Sequence, residues 1–295
     1  MSATSLGLDP RQIRRNFTRA ATGYDSVAVL QREIAARMLE RLDYIKLDPG
    51  RVLDLGCGTG ASLPALSERY PKAQVIGADF NPAMLGVAWT KRRRLGWQLP
   101  FLRARKSALL AADAGKLPFA SASIGFVWSN LMWHWLDDPL AALREVHRTM
   151  AVGGLLMFSA FGPDTLKELR ACFPGDEAHT HRFTDMHDYG DMLVECGFAD
   201  PVMDAEVLTV TYPGFDDLLR DLRQGGGACA LQSRRRGLAG RQAWRVARAN
   251  YEQRADNGRL PATIEVVYGH AWKVPPARID DGRSIVRFDQ KQRLR

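Results

Sequence analysis

Residues 52–60 read VLDLGCGTG, an apolar run broken by Gly56, Gly58 and Gly60, and a second apolar run, QVIGAD, ends at Asp79 about 20 residues on. That spacing belongs to a strand-helix-strand unit that meets a nucleoside. The glycines let the backbone turn sharply and approach a ligand closely, because no Cβ intervenes. Asp79 is ionised at neutral pH and can accept hydrogen bonds from both hydroxyls of a ribose. Asp54, just ahead of the first glycine, can receive an ammonium group. In AADAGKLPF, Asp113 and Ala114 precede a turn where the edge of an adenine can sit. In ASIGFVWSNLMWHWL, a buried strand runs into Ser129 and Asn130, which would floor the same cleft.

A glycine turn alone serves nicotinamide, flavin and S-adenosylmethionine (SAM) sites, and it can also be purely structural, just as an Asp at a strand end can be a helix cap. Four motifs in order over residues 52–131 are more specific. Together they resemble the class I SAM-dependent methyltransferases, which carry an acidic glycine loop, an acid after the second strand, an Asp-Ala after the third and a polar strand end after the fourth. The resemblance implies SAM as cofactor, held by Asp54, Gly56, Gly58, Gly60, Asp79, Phe80, Asn81, Asp113, Ala114, Ser129 and Asn130. It implies a Rossmann-like α/β fold with a mainly parallel seven-stranded sheet and an antiparallel last strand.

The elements that must hold these residues can be read from periodicity. Residues 9–43 alternate apolar and charged positions at helical spacing, with Val29, Ile34, Met38 and Leu42 on one stripe, and predict two helices ahead of the sheet. Strands are expected at 51–55, 74–78, 109–111, 124–128 and 155–160, alternating with helices. Residues 89–108, basic and containing Trp, read as a surface insertion. An amphipathic helix at 185–196 stops at Gly197. The alternating run 202–212, an Arg-rich helical excursion and a closing strand at 262–274 follow. With the methyltransferase resemblance, three units are expected: an amino-terminal helical lid at 1–45, a SAM-dependent methyltransferase domain at 46–274 with a helical insertion at about 213–258, and a polar tail at 275–295 in which IVRF can form a short strand.

The 295 residues are 46% hydrophobic, enough for a large core. Cys57, Cys172, Cys196 and Cys229 show neither CxxC nor His-Cys pairing, so no metal site and no disulfide framework is expected. No run is apolar enough for a bilayer and no secretory signal is visible, so a cytoplasmic, non-membrane protein is expected. The net charge of +8 favours an acidic partner. Basic runs lie at 91–106 and 234–236 and in the tail QKQRLR, but no nucleic-acid module accompanies them, so nucleic acid is not the expected partner.

Methyl transfer from a sulfonium needs alignment and exclusion of water more than a base. The late segments hold no acid-base constellation, which favours a carboxylate acceptor, already ionised at neutral pH. His134, one helical turn after Asn130, is a candidate catalytic residue that can equally be packed core. Arg170, Arg182, Arg220 and Arg223 are candidate anchors for an anionic substrate.

Flanking segments carry a closer resemblance. NFTRAATGYDSVAVLQREIAARMLERL, with Phe17, Arg19, Ala20, Tyr24 and Asp25, and the runs WSNLMWHWLDDPLAALREVHRTMAVGGLLMFSAFGPDTLKELR and HRFTDMHDYGDMLVECGFADPVMD resemble the malonyl-acyl-carrier-protein O-methyltransferases of biotin synthesis, over residues 12–273. That resemblance implies methylation of the free carboxylate of malonate on an acyl-carrier protein, with Tyr24 closing over the methyl donor from the lid. Phe161, Gly162, Asp164, Thr165 and Leu166, the Tyr212-Pro213-Gly214 step, Asp221-Leu222 and residues 260–263 also resemble a complex I assembly-factor family associated with arginine hydroxylation. A SAM-binding scaffold without turnover and a small-molecule carboxyl or phenol methyltransferase are the other readings.

Overall fold

The computed structural model describes residues 5–98, 108–173, 179–235, 237 and 241–275. Residues 99–107 of the expected basic insertion, Arg236 and the tail from 276 on, including IVRF, lie outside these residues.

Seven strands form one sheet: β1 (Arg51–Leu55), β2 (Gln74–Asp79), β3 (Ala108–Ala111), β4 (Ile124–Ser129), β5 (Met150–Phe161), β6 (Phe198–Tyr212) and β7 (Leu260–Lys273). Their order is β3-β2-β1-β4-β5-β7-β6. The first five are parallel, and β7 lies antiparallel between β5 and β6. The expected sheet is therefore the observed one. β5 starts five residues earlier than expected, running back from Leu155 to Met150. Strand order reverses between β1 and β4, and in such sheets the crevice for a ligand opens at that switch, beyond the carboxyl ends of the strands. All four cofactor motifs end there.

Alternation along the strands divides the interior in two, because successive side chains point to opposite faces. Val52, Phe126, Trp128, Ile264 and Val266 face one layer, while Leu53, Leu55, Val127, Val267 and Ala271 face the other. Helix α3 (Val29–Arg41) packs Ile34 and Met38 into the first layer, joined by Leu42. Each fully buried side chain of this kind is worth roughly 1.5–3 kcal/mol relative to exposure. Val29, expected on the same stripe, is 63% exposed. It opens α3 beyond the edge of the core and stands at the mouth of a cavity.

The amino terminus forms three helical pieces rather than two: α1 (Pro10–Ala20), the single turn α2 (Tyr24–Val27) and α3. Asp9 caps α1 by accepting the Arg11 and Gln12 N–H groups, with Pro10 in the first turn, where a missing N–H costs nothing. Helices α4 (Leu63–Arg69), α5 (Pro82–Gln98) and α6 (Pro139–Thr149) join the first five strands. The start of the expected insertion is simply the continuation of α5. After β5 come α7 (Lys167–Arg170) and α8 (Met186–Glu195), and α9 (Phe215–Gln224) and α10 (Arg241–Glu252) fall between β6 and β7.

The amino terminus and the segment after α9 join over the cleft. Leu8 pairs with Leu231 in an isolated bridge, Asp9 N–H donates to Ala230 O at 2.8 Å and Gln232 N–H to Gly7 O at 2.7 Å. Leu8, Ile13, Ala230 and Leu231 bury a small core of their own, against which Phe17, Phe80 and Trp135 pack. Segments more than 200 residues apart in sequence thus make one roof.

Candidate functional site

Beneath this roof lies a cavity of about 850 Å³ that runs from the glycine loop to the aromatic side chains after β5. At its cofactor end the chain turns from β1 to α4 through Gly56, Gly58 and Gly60, with φ of 78°, 54° and 76°. A Cβ on Gly56 would stand 2.4 Å from Met132 Cγ, so both the backbone conformation and the space require glycine there. Gly56 and Gly58 line the cavity. Gly60 does not; it faces Leu63 and Ala88 and serves the turn.

Asp79, at the end of β2, lines the cavity and is 9% exposed. One of its oxygens accepts Gly58 N–H at 2.9 Å and the other Asn81 N–H at 2.8 Å. Burial raises its pKa against the lowering effect of these two bonds. Each carboxylate oxygen keeps a lone pair for one further donor, which suits a ribose diol. Asp54, in β1 beside the lining residues Leu55 and Gly56, does not itself line the cavity; it is 2% exposed, and its Oδ2 has no hydrogen-bond partner among the described residues. Loss of hydration, and then the charge of Asp79, push its pKa up to about 8. A buried carboxyl with an orphaned oxygen suits an incoming ammonium. Asp113 and Ala114 line the wall, and Asp113 Oδ1 accepts Gly115 N–H at 2.8 Å.

Of four further expected cofactor residues, Asn81 and Ser129 do not line the cavity, and Phe80 and Asn130 do. Asn81 is fully buried outside the cavity: its amide donates to Arg14 O at 2.9 Å and its oxygen accepts Ala83 N–H at 2.9 Å, tying α1 to α5. Ser129 donates to Leu55 O at 2.8 Å and locks β4 to β1 instead of facing a ligand. Phe80 does line the cavity, with the Arg14 guanidinium 5.4 Å from its ring centroid. Asn130 also lines it, held by donation to Gln31 O at 2.9 Å and by acceptance from Ser159 Oγ at 2.8 Å.

Tyr24 enters the cavity from α2, close to Phe17, whose ring meets Trp135 edge-on at 5.1 Å. Burial, with Asp79 and Asp25 adding to it, pushes the phenol up to about 12, so it stays protonated and can donate a hydrogen bond at neutral pH. The next residue fastens α2 to the glycine loop. Asp25 accepts Thr59 Oγ1–H at 2.7 Å and pairs with Lys91 Nζ at 2.5 Å.

His134 lies in a 3-10 turn, Trp133–Trp135, and is 1% exposed. Its Nδ1 accepts Phe161 N–H at 3.2 Å. Burial, and secondarily His181, hold its pKa well below the ordinary value. The ring's basic lone pair is thus engaged by the backbone, and the catalytic-base role raised from the sequence does not fit it. His134 lines the cavity, whereas the four candidate arginines do not. Arg170 donates to the carbonyls of Pro163 at 2.6 Å and Thr165 at 3.3 Å, Arg220 pairs with Asp217 at 2.7 Å, and Arg182 and Arg223 point to solvent. Their long, well-hydrated side chains gain more at the surface than in an apolar wall. No described residue lining the cavity is Lys or Arg. Nor does any group of three or more His, Cys, Asp or Glu among the described residues have the makings of a metal site, and no helix among them is long and apolar enough to cross a membrane.

The far end is built from residues that no local motif marks: Trp135, Phe161, Thr165, His181, Phe183 and Tyr212. Tyr212 donates to Asp221 Oδ2 at 2.6 Å, linking β6 to α9. The quoted runs FGPDT and HRFT contain four of the six, but only as likeness of sequence, with no spacing rule that turns them inward.

Residues 53–158 match the family described as Methyltransferase domain. Over nearly the whole length, the chain is 50% identical to the malonyl-[acyl-carrier protein] O-methyltransferase of Laribacter hongkongensis, covering 95% of this chain and 96% of that one. It is 48% identical to the protein of the same name from Gallionella capsiferriformans, over 96% and 98% of the two chains. Among solved structures, the YcgJ protein of Bacillus subtilis superposes with a TM-score of 0.58 at 15% identity, covering 83% of this chain and all of that one. A putative methyltransferase of Bacillus halodurans gives 0.58 at 17%, over 82% and 99%. The two structures bear on the fold alone.

Proposed function

We propose that this chain, which belongs to the malonyl-[acyl-carrier protein] O-methyltransferases, moves a methyl group from SAM to the free carboxylate of malonyl-carrier protein, giving the methyl ester used in biotin synthesis. The observation that carries the reading is the single cavity that joins a nucleoside-type end, with Asp79 and the glycine loop, to an aromatic end roofed by Tyr24 and Phe17. Its volume of about 850 Å³ has room for a nucleoside and an acyl group together.

Bound at the glycine loop, SAM supplies a methyl group already activated on a sulfonium. Gly56 and Gly58 allow the close approach, Asp79 takes the ribose hydroxyls, Asp54 the ammonium, and Asp113 with Ala114 the adenine edge. A malonyl carboxylate has a pKa near 4 and arrives ionised, so no side chain has to remove a proton. The walls exclude water from the anion, and Tyr24, protonated at neutral pH, offers its O–H from the lid. The net charge of +8 suits an acidic carrier protein. A cytoplasmic place of action belongs to the same proposal.

The test is mass spectrometry of malonyl-carrier protein incubated with the enzyme and SAM, beside acetyl-carrier protein and free malonyl-coenzyme A. A gain of one methyl on the malonyl carrier and none on the acetyl carrier is expected. SAM binding without any methyl gain would overturn the assignment and favour an assembly or hydroxylation role. Equal methylation of the free coenzyme A ester would point to a small-molecule enzyme.

A further inference from the structure

Three histidines line the cavity, His134, His179 and His181, and hydrogen bonds from backbone N–H groups commit one nitrogen of His134 and one of His181. His134 Nδ1 accepts Phe161 N–H, so the ring proton sits on Nε2. That Nε2 is buried, has no partner among the described residues, and belongs to a residue that lines the cavity. His181 Nε2 accepts Ala230 N–H at 2.8 Å, which leaves its proton on Nδ1. Trp135 lies beside both rings, at 5.2 Å from His134 and 4.7 Å from His181, while Phe161 and Phe183 pack against His134 at 4.6 and 5.8 Å. Protonating either ring would set an N–H against the backbone N–H it now accepts. Burial works the same way, lowering His181 to about 4 and His134 well below its ordinary value.

Resting on the carboxylate reading above, we propose that the neutral His134 Nε2–H is the hydrogen-bond donor that recognises and orients the acceptor carboxylate, and so selects a malonyl over a neutral acyl group. No lysine or arginine lines the described cavity to do this. A neutral donor fixes one carboxylate oxygen without cancelling the anion's charge, so the second oxygen keeps its nucleophilicity. A guanidinium would bind more tightly but would also hold the electron pairs that must attack. Selection comes as much from rejection as from attraction. An acetyl group at the same place would leave a buried N–H unpaired, and sites that lose a polar partner in this way discriminate strongly.

The experiment compares wild type with H134F, which removes the donor, and H134Q, which offers an amide N–H of similar reach. Binding of malonyl- and acetyl-carrier protein is measured by calorimetry with S-adenosylhomocysteine saturating, so that nothing turns over. H134F is expected to weaken malonyl-carrier binding tenfold or more while leaving acetyl-carrier and cofactor affinities within twofold, and H134Q to restore most of the loss. If H134F loses cofactor binding through misfolding, H134M carries the same comparison. The proposal is overturned if removal of the donor weakens both carriers alike or neither, or if H134Q, folded and binding cofactor, is no better than H134F. Wild type that fails to methylate malonyl-carrier protein would instead overturn the function proposed above, so the two failures are distinct.

Discussion

If Asp54 takes the ammonium as proposed, SAM binding should be a proton-releasing event. Its carboxyl is buried, has one oxygen without a partner and is raised to about 8, first by lost hydration and then by Asp79. The two acids are coupled, but the proton belongs on Asp54, because Asp79 has two backbone N–H donors that stabilise its ionised form. At pH 6.5 the protonated fraction is 1/(1 + 10^(6.5 − 8)), or about 0.97. An ammonium placed against Asp54 ionises it, so binding should expel close to one proton. Ionisation at that pH takes about 1.5 × 1.4, or roughly 2 kcal/mol, from the binding free energy. SAM affinity should therefore rise with pH, by up to about tenfold per unit well below pH 8, pass through a maximum near pH 8 and fall above it as the ligand's ammonium loses its own proton. Calorimetry at pH 6.5 in phosphate and in Tris, whose ionisation enthalpies differ widely, counts the protons, and Asp54→Asn should abolish both the release and the slope. The ligand-free protein should show the linked effect on stability. A folded pKa above the unfolded one means that the folded state holds a proton the unfolded chain gives up between about pH 4 and pH 8, so this group's contribution is full below pH 4 and is lost as the pH rises to 8. A wild-type protein that releases no protons, or whose SAM affinity does not change between pH 6.5 and pH 8, would refute the pairing of Asp54 with the ammonium.

Three further outcomes are expected. Gly56→Ala combines a left-handed backbone, about 1–2 kcal/mol for an L residue, with a Cβ jammed against Met132, about 1–3 kcal/mol; thermal melting should fall by several degrees and SAM binding should be lost, and normal values of both would remove the steric account of the loop. Asp25→Ala cuts the bond to buried Thr59 and the partly exposed pair with Lys91, each worth only about 1 kcal/mol or less in stability; kcat/KM should drop roughly fivefold as α2 loosens, and an unchanged value would show that α2 needs no tether. Tyr24→Phe removes a donor that stays protonated to about pH 12; methyl transfer should slow by about tenfold, the effect of one hydrogen bond, with the SAM dissociation constant within threefold, and wild-type values of both would end its lid role.

The run VLDLGCGTG and Asp79 determined by themselves where the sheet turns and where a nucleoside meets it. Turning from strand to helix beside a ligand needs left-handed backbone and an absent Cβ, and those are local requirements that glycine spacing displays. Apolar runs of strand length likewise announced all seven strands, because alternation between two buried faces is a property of consecutive residues. Which way a polar side chain turns was decided by partners far along the chain. Asn81 follows Asp79 by two residues yet is held by Arg14 in α1, and Ser129 is held by Leu55 across the sheet. The arginines near the cleft found carbonyls, Asp217 or water, and the cavity was left without them. His134 looked like a base until Phe161, 27 residues on, engaged its Nδ1. Spacing along a strand or turn fixes where a backbone goes, but a side chain's direction and protonation follow from hydrogen bonds and burial that exist only once the roof, the sheet and the late helices have closed on one another.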